Sequence, residues 1–397
     1  MTHPRRLRRL SAAAAALVLV GVGLTGSASG QASGRGIVIG VGGPLVGGAA
    51  TFGVEMRQAV ELAVEEKNAG GGILGTPVAV EVLDDGADAR SGEAVARRFC
   101  DNPSVLGVVG HVNSGVSIAA STVYDGCGLP MVTPMSSNPA VTDRGLPNVF
   151  RLTNRDDHKG PALAAYLYQR GKRKAVVVDD QTAYGRGLAD LFARTFQTEG
   201  GQVLARPAVR VGERDFRALV GSLPSDFDLL FFGGIAEASP LLKQMREAGL
   251  NQLFACGDGC WDVKGFIQPS AGAATRGEGV VVLSAAPAVG RVPGSREFAE
   301  RYTKRYGPIA NYAPNSYDAA RLLLAAIEQA PRAAGGPPSR ADVLAAVRSQ
   351  RFQGIAYARP VEWDARGDNK GAVIFLNVVE GDHFKEIAEL TPPGAPR

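Results

Sequence analysis

The sequence is poor in the groups that carry most enzymatic and metal chemistry. It has four histidines in 397 residues (His3, His111, His158 and His383), too scattered to set a ligand cluster. Its four cysteines include no CxxC redox pair. No GxSxG elbow, HExxH helix or Walker loop occurs, which leaves the serine-elbow hydrolases, the zinc proteases and the P-loop enzymes without their chemistry. Paired carboxylates exist at Asp84-Asp85 and Asp179-Asp180. Both pairs follow apolar runs, where aspartates serve turns and helix caps, and neither has a histidine or lysine beside it in sequence. The chain therefore reads as a non-enzyme that needs no cofactor and no metal.

An excess of one charge sign is also missing once the N-terminus is set apart. Arg5, Arg6, Arg8 and Arg9, an apolar run over 12–24 and a small-residue stretch over 25–33 are the three parts of a secretory signal peptide. The apolar run falls short of the roughly 20 residues that span a bilayer. Cleavage after Gly30 or Ala32 fits the small residues there, and no Cys marks a lipid attachment point. The export route stays open. The whole chain has 43 basic and 39 acidic residues, and those four arginines are the difference. What remains is balanced, and a neutral chain without a basic stripe is a poor nucleic-acid binder. No second apolar run reaches spanning length, so the expectation is a soluble protein in the periplasm or outside the cell.

What is present points to two α/β lobes. A mature chain of about 365 residues exceeds one ordinary core. Short β-branched runs over 37–41, 78–83, 105–109 and 130–133 alternate with helical stretches over 54–68, 92–99 and 114–124. The rhythm restarts with a helix over 158–169 and strands over 174–179, 203–207, 229–232, 253–255 and 280–284. Later helices are expected over 295–306, 316–329 and 340–349, and a hairpin turns about 380–382. Such alternation implies parallel sheets covered by helices on both faces. Four cysteines in an exported chain favour disulfides, and order along the chain suggests Cys100 with Cys127 and Cys256 with Cys260.

In open parallel sheets, ligands bind beyond the carboxyl ends of the strands. The loops there are polar and glycine-rich. GVGGPLVGGAATFG (40–53) fails the dinucleotide register, because the sixth position from Gly40 is Leu45, and Pro44 lacks an amide. GHVNSG (110–115) and TPMSSNPAVTDRG (133–145) place Ser114 and Ser137 where they could cap helices. Two such termini side by side could also hold a carboxylate through free amides and the helix dipole. Tyr184 lies in DDQTAYGRGLA (179–189), where its ring could cover a ligand. Asp258 lies in CGDGCWD (256–262), as a turn aspartate or as the counter-ion of an ammonium group.

Taken in order, these loops resemble the type I periplasmic binding family, specifically the leucine/isoleucine/valine-binding proteins of ABC transporters. The likeness extends from Ile37 to about Glu389 and also includes KNAGGGILG (67–75), VEVLDDGAD (80–88), VFRLTNRDDHKGP (149–161), FFGG (231–234) and EWDARGDNKG (362–371). It implies two doubly wound lobes joined by three crossover hinge strands, near Arg155, Ala285 and Val373. Residues 31–155 with 285–373 would form one lobe, 156–284 with 374–391 the other, and 392–397 a tail. It further implies that Ser114 and Ser137 hold an amino acid's carboxylate, with backbone groups near Met135 and Ser136. Asp258 and Tyr184 would come from the other lobe to meet the ammonium, and Phe52 would flank the side-chain pocket. The implied partner is a membrane permease, served by a monomeric carrier; a ligand sensor acting on a receptor is the alternative, as is a carboxylate or amide ligand that is not an amino acid. Two departures stand out. Ile235-Ala236 follows FFGG where relatives often place a tyrosine, and Asn113 stands where a cysteine can occur; Asn113 and Ile235 are nonetheless expected at the ligand, from their places in these loops.

Overall fold

The computed structural model describes residues 36–309, 312–332 and 336–393. The signal peptide expected at the N-terminus and residues 394–397 of the expected tail lie outside the described residues.

The first lobe grows from β1 (Ile37–Gly43), whose side chains are almost all buried. The chain then enters α1 (Ala50–Ala69), which starts earlier than its hydrophobic spacing suggests. Gly53 explains the early start. A Cβ there would run into the Pro44 carbonyl oxygen, so only glycine lets the first turn close on the preceding loop. β2 (Val78–Asp84) pairs parallel to β1 along one side. α2 (Ala89–Asp101) is capped by Asp88, which accepts the Ser91 amide at 2.8 Å. β3 (Val105–Gly110) pairs along the other side of β1 and leads into α3 (Ser114–Gly126). β4 (Met131–Thr133), the single turn α4 (Ala140–Asp143) and β5 (Val149–Arg151) complete a parallel sheet of order β2-β1-β3-β4-β5.

The chain crosses to the second lobe through α5 (Asp156–Gln169) and builds β6 (Lys174–Asp179), α6 (Ala183–Thr198), β7 (Gln202–Ala205) and the short α7 (Arg217–Gly221). It continues through β8 (Leu229–Gly233), α8 (Ala238–Glu247), β9 (Leu253–Cys256) and β10 (Val280–Ser284). It then returns to the first lobe, where α10 (Ala313–Gln329), which follows α9 (Ser295–Tyr306), packs on α1 and β3, and α11 (Arg340–Ser349) packs on α10 and β3. A third crossing gives the antiparallel hairpin β11 (Ile374–Glu380) and β12 (His383–Leu390). The second sheet runs β12-β11-β10-β9-β8-β6-β7, parallel from β7 to β10 and antiparallel at β10-β11-β12.

Both sheets change direction of winding at their second strand. In the first sheet the loops after β1 and β3 leave on opposite sides, and in the second those after β6 and β8 do so. Such switch points open a crevice at the carboxyl ends of the strands. Two crossing segments are tied together beside it. Arg151, fully buried, places Nε 2.8 Å from Asp368 Oδ1, and Arg155 Nη1 lies 2.9 Å from Asp368 Oδ2. The second departure from sequence reading is β5. It has only three residues, and its isolated bridge partner, Asp368, lies over two hundred positions away, so no local pattern announces it.

Candidate functional site

The two switch points face each other across one cavity. It is lined by Phe52, Val112, Asn113, Ser114, Met135 and Tyr312 from the first lobe and by Tyr184, Ile235, Asp258 and Gly259 from the second. Its volume is about 40 Å³, roughly three times what a single water needs on the same measure. The lobes meet around it: Asn138 Nδ2 donates to the Ala183 carbonyl at 2.6 Å, joining the loop after β4 to the start of α6.

On the first-lobe side the loop after β3 is held by buried polar groups. His111 Nδ1 lies 2.7 Å from Asp85 Oδ2, and its Nε2 lies 3.0 Å from the Tyr124 hydroxyl. All three are fully buried, so this Asp–His–Tyr row braces the loop and cannot reach a ligand. It also gives Asp85 the histidine partner that sequence proximity did not reveal. Ser136 Oγ lies 3.0 Å from the His111 carbonyl and 2.9 Å from the Val112 carbonyl. Ser114 Oγ accepts the amides of Ser137 and Asn138, both at 3.2 Å, which leaves its proton free to donate. Asn113 is the N-cap of α3 without a side-chain capping bond, and its buried Oδ1 has no partner. The start of α3 thus brings a hydroxyl donor and a helix N-terminus to the cavity, a setting suited to an anion, while the unpaired Asn113 Oδ1 is an acceptor and needs a donor.

On the second-lobe side Asp258 opens a 3₁₀ turn, Asp258–Cys260, just after β9. The Cys256–Cys260 disulfide closes that turn, and Cys100–Cys127 joins the end of α2 to the end of α3. Tyr184, in the first turn of α6, donates its hydroxyl to Asp258 Oδ1 at 2.9 Å and accepts the Gly259 amide at 2.9 Å. Asp258 Oδ2 accepts the Tyr312 hydroxyl and the Lys159 ammonium, the latter at 2.6 Å. Burial acting alone would push the Asp258 carboxyl up, but Lys159 and the tyrosine hydroxyls outweigh it and hold it below the usual range. Burial, followed by the charge of Asp258, holds the Tyr184 and Tyr312 hydroxyls far above theirs, so both act as neutral donors. Lys159 also lies 3.2 Å from Asp156, a buried carboxyl that desolvation pushes upward despite the lysine.

Seven of the residues expected from sequence therefore line one cavity: Phe52, Asn113, Ser114, Met135, Tyr184, Ile235 and Asp258. Ser136 and Ser137 are buried and are not among its lining residues; Ser136 pins the loop, and Ser137 contributes its amide to Ser114. Sequence reading missed Lys159, Tyr312, Val112 and Gly259. Lys159 did leave a signal. A cation in the first turn of a helix opposes the dipole, and such local inconsistencies gather at functional sites. Tyr312 left none, since it is brought in from a distant helix start.

A sequence model of the periplasmic binding protein family matches residues 36–382. The chain belongs to that family. Among its relatives, an amino acid binding protein of Pseudomonas aeruginosa is 35% identical, over 84% of this chain and 87% of its own. Leu/Ile/Val-binding protein homolog 1 of Brucella melitensis is 32% identical, over 84% of this chain and 88% of its own. Among solved structures, a leucine binding protein of Thermotoga maritima is 29% identical with a TM-score of 0.80, covering 90% of this chain and 99% of that one. The names of these relatives are those of amino acid, Leu/Ile/Val and leucine binding proteins, and the fold of this periplasmic binding protein is shared with the last of them over nearly its whole length. No helix among the described residues is long and apolar enough to cross a membrane.

Proposed function

We propose that the protein is the exported solute-binding component of an ABC transporter, which captures a small apolar α-amino acid of the branched-chain class between its lobes and delivers it to a membrane permease. The observation that carries this reading is the composition of the one cavity that both switch points face. An anion-suited helix terminus at Asn113 and Ser114 stands on one lobe, a carboxylate at Asp258 on the other, and Phe52, Val112, Met135 and Ile235 supply apolar walls. A zwitterion can be buried only if both its charges are met. Here they would be met by different lobes, so the ligand favours the closed arrangement over the open one, and only such differential affinity shifts a conformational equilibrium. The crossings near Arg155, Ala285 and Val373 would serve as the hinge, with the closed form presented to the permease by a monomeric carrier.

The reading is tested by refolding the protein to remove carried ligand and screening its thermal stability against amino acids, their amides and small carboxylates. Leucine, isoleucine or valine should raise the melting temperature, while nucleotides and sugars should not. A response confined to sugars or nucleotides would overturn it.

A further inference from the structure

A cleft that relies on a carboxylate to capture a ligand's ammonium should present that carboxylate uncompensated. Asp258, the one acid among the residues lining the cavity, is not presented so. Its oxygens already accept Lys159 at 2.6 Å, Tyr184 at 2.9 Å and Tyr312. An ionised carboxylate has about four lone-pair sites, so one acceptor position remains, and the charge behind it is cancelled by an ammonium in direct contact. Lys159 is fully buried and does not line the cavity, so it acts on Asp258 from behind. Asp156, the third group in the row, lies 3.2 Å from Lys159 and is pushed by burial toward its neutral form. The Lys159–Asp258 pair is then balanced with no ligand present.

Stability alone accounts poorly for this arrangement. Buried ion pairs are often no more stable than apolar side chains of similar volume, and a lysine in the first turn of α5 opposes the helix dipole. Placing a cation there does change what the cleft can recognise. We infer that Lys159 is a specificity-determining residue, which weakens the dependence on a ligand ammonium so that the cleft also takes 2-hydroxy acids of the same carbon skeleton, whose hydroxyl can donate where a 2-oxo group cannot. The ligand carboxylate keeps the Ser114 hydroxyl and the N-terminus of α3. The α-substituent faces a neutralised Asp258 with Tyr184 and Tyr312 beside it, where a hydroxyl can donate to the remaining lone pair.

The inference rests on the small apolar amino acid reading above, and one calorimetric experiment separates the two. The full chain, freed of carried ligand, is titrated with valine, 2-hydroxy-3-methylbutanoate and 2-oxo-3-methylbutanoate, and with the leucine set. Lys159→Gln, which keeps a donor toward Asp258 but removes the charge, is titrated likewise. In the unaltered protein the hydroxy acid should bind within tenfold of the amino acid, or more tightly, and more tightly than the oxo acid, and Lys159→Gln should shift the hydroxy-to-amino ratio at least tenfold toward the amino acid. An unaltered protein that prefers the amino acid by a hundredfold, with the ratio unmoved in Lys159→Gln, overturns the inference and leaves the functional reading standing. Failure of all six ligands to bind overturns both. If Lys159→Gln does not fold, Lys159→Gln with Asp258→Asn removes both charges together, and this double variant should bind the hydroxy acid at least as well as the amino acid; a hundredfold preference for the amino acid there overturns the inference.

Discussion

The Tyr312 hydroxyl, at the start of α10 in the first lobe, donates to Asp258 Oδ2, in the turn just after β9 in the second. A buried bond to a charged group contributes about 1.5–3 kcal/mol, and this one exists only while the lobes are together. Tyr312→Phe should therefore favour opening. Small-angle scattering of the ligand-free variant should give a larger radius of gyration than the parent. An unchanged radius would mean that this bond does not hold the closed form.

Asp258 also compensates Lys159. Asp258→Ala leaves a buried ammonium with only the Asp156 carboxyl nearby, and removing one partner of a buried pair costs about 3–5 kcal/mol. Urea denaturation of the ligand-free variant should show a loss of that order. Asp258→Ala with Lys159→Met should recover much of it. A double variant as unstable as the single one would argue against pairing as the cause.

Ser114 has two tasks, because its hydroxyl oxygen accepts two backbone amides while its proton stays free. Ser114→Ala strands those amides and removes the donor. It should lower unfolding stability by about 1–3 kcal/mol and weaken binding of an amino acid more than of its amide. Equal losses for both ligands, measured by calorimetry, would contradict a carboxylate contact.

Glu55 on α1 gives a pH signature. Its carboxyl is fully buried and pushed up from 4.5 to about 8, chiefly by desolvation, although the Ala313 amide donates to it at 2.7 Å. Asp318 behaves likewise, pushed by burial to about 7. A raised acid keeps its proton in the folded state after the unfolded chain has lost it. Its contribution is full below about pH 4.5 and is lost as pH rises toward 8. Glu55→Gln should flatten the decline in melting temperature between pH 5 and 8. A profile parallel to the parent's would exclude Glu55 as its source.

The architecture was largely legible because β-branched runs such as 37–41 and 105–109 are buried on both faces and need no distant information. The loops that follow them carry Ser114, Tyr184 and Asp258, and the parallel-sheet rule alone sends them to one crevice. What sequence could not supply is pairing across the cleft. Tyr312 reaches Asp258 from 54 residues away and Lys159 from 99, so the carboxylate read as free for a ligand keeps only one acceptor position. The serine pair shows the same limit: 136 and 137 sit in the right loop, yet their hydroxyls do not line the cavity, since a loop's polar residues divide between holding its shape and facing a ligand.

The most direct test of capture between the lobes is calorimetry of the ligand-free protein with valine and leucine against the amines that lack only the carboxylate. One-to-one binding of the amino acids is expected, with affinity for the amines lower by roughly 100-fold, as loss of two charge-assisted bonds implies. Equal affinity for acid and amine, or no binding of either, would contradict a carboxylate held at the start of α3.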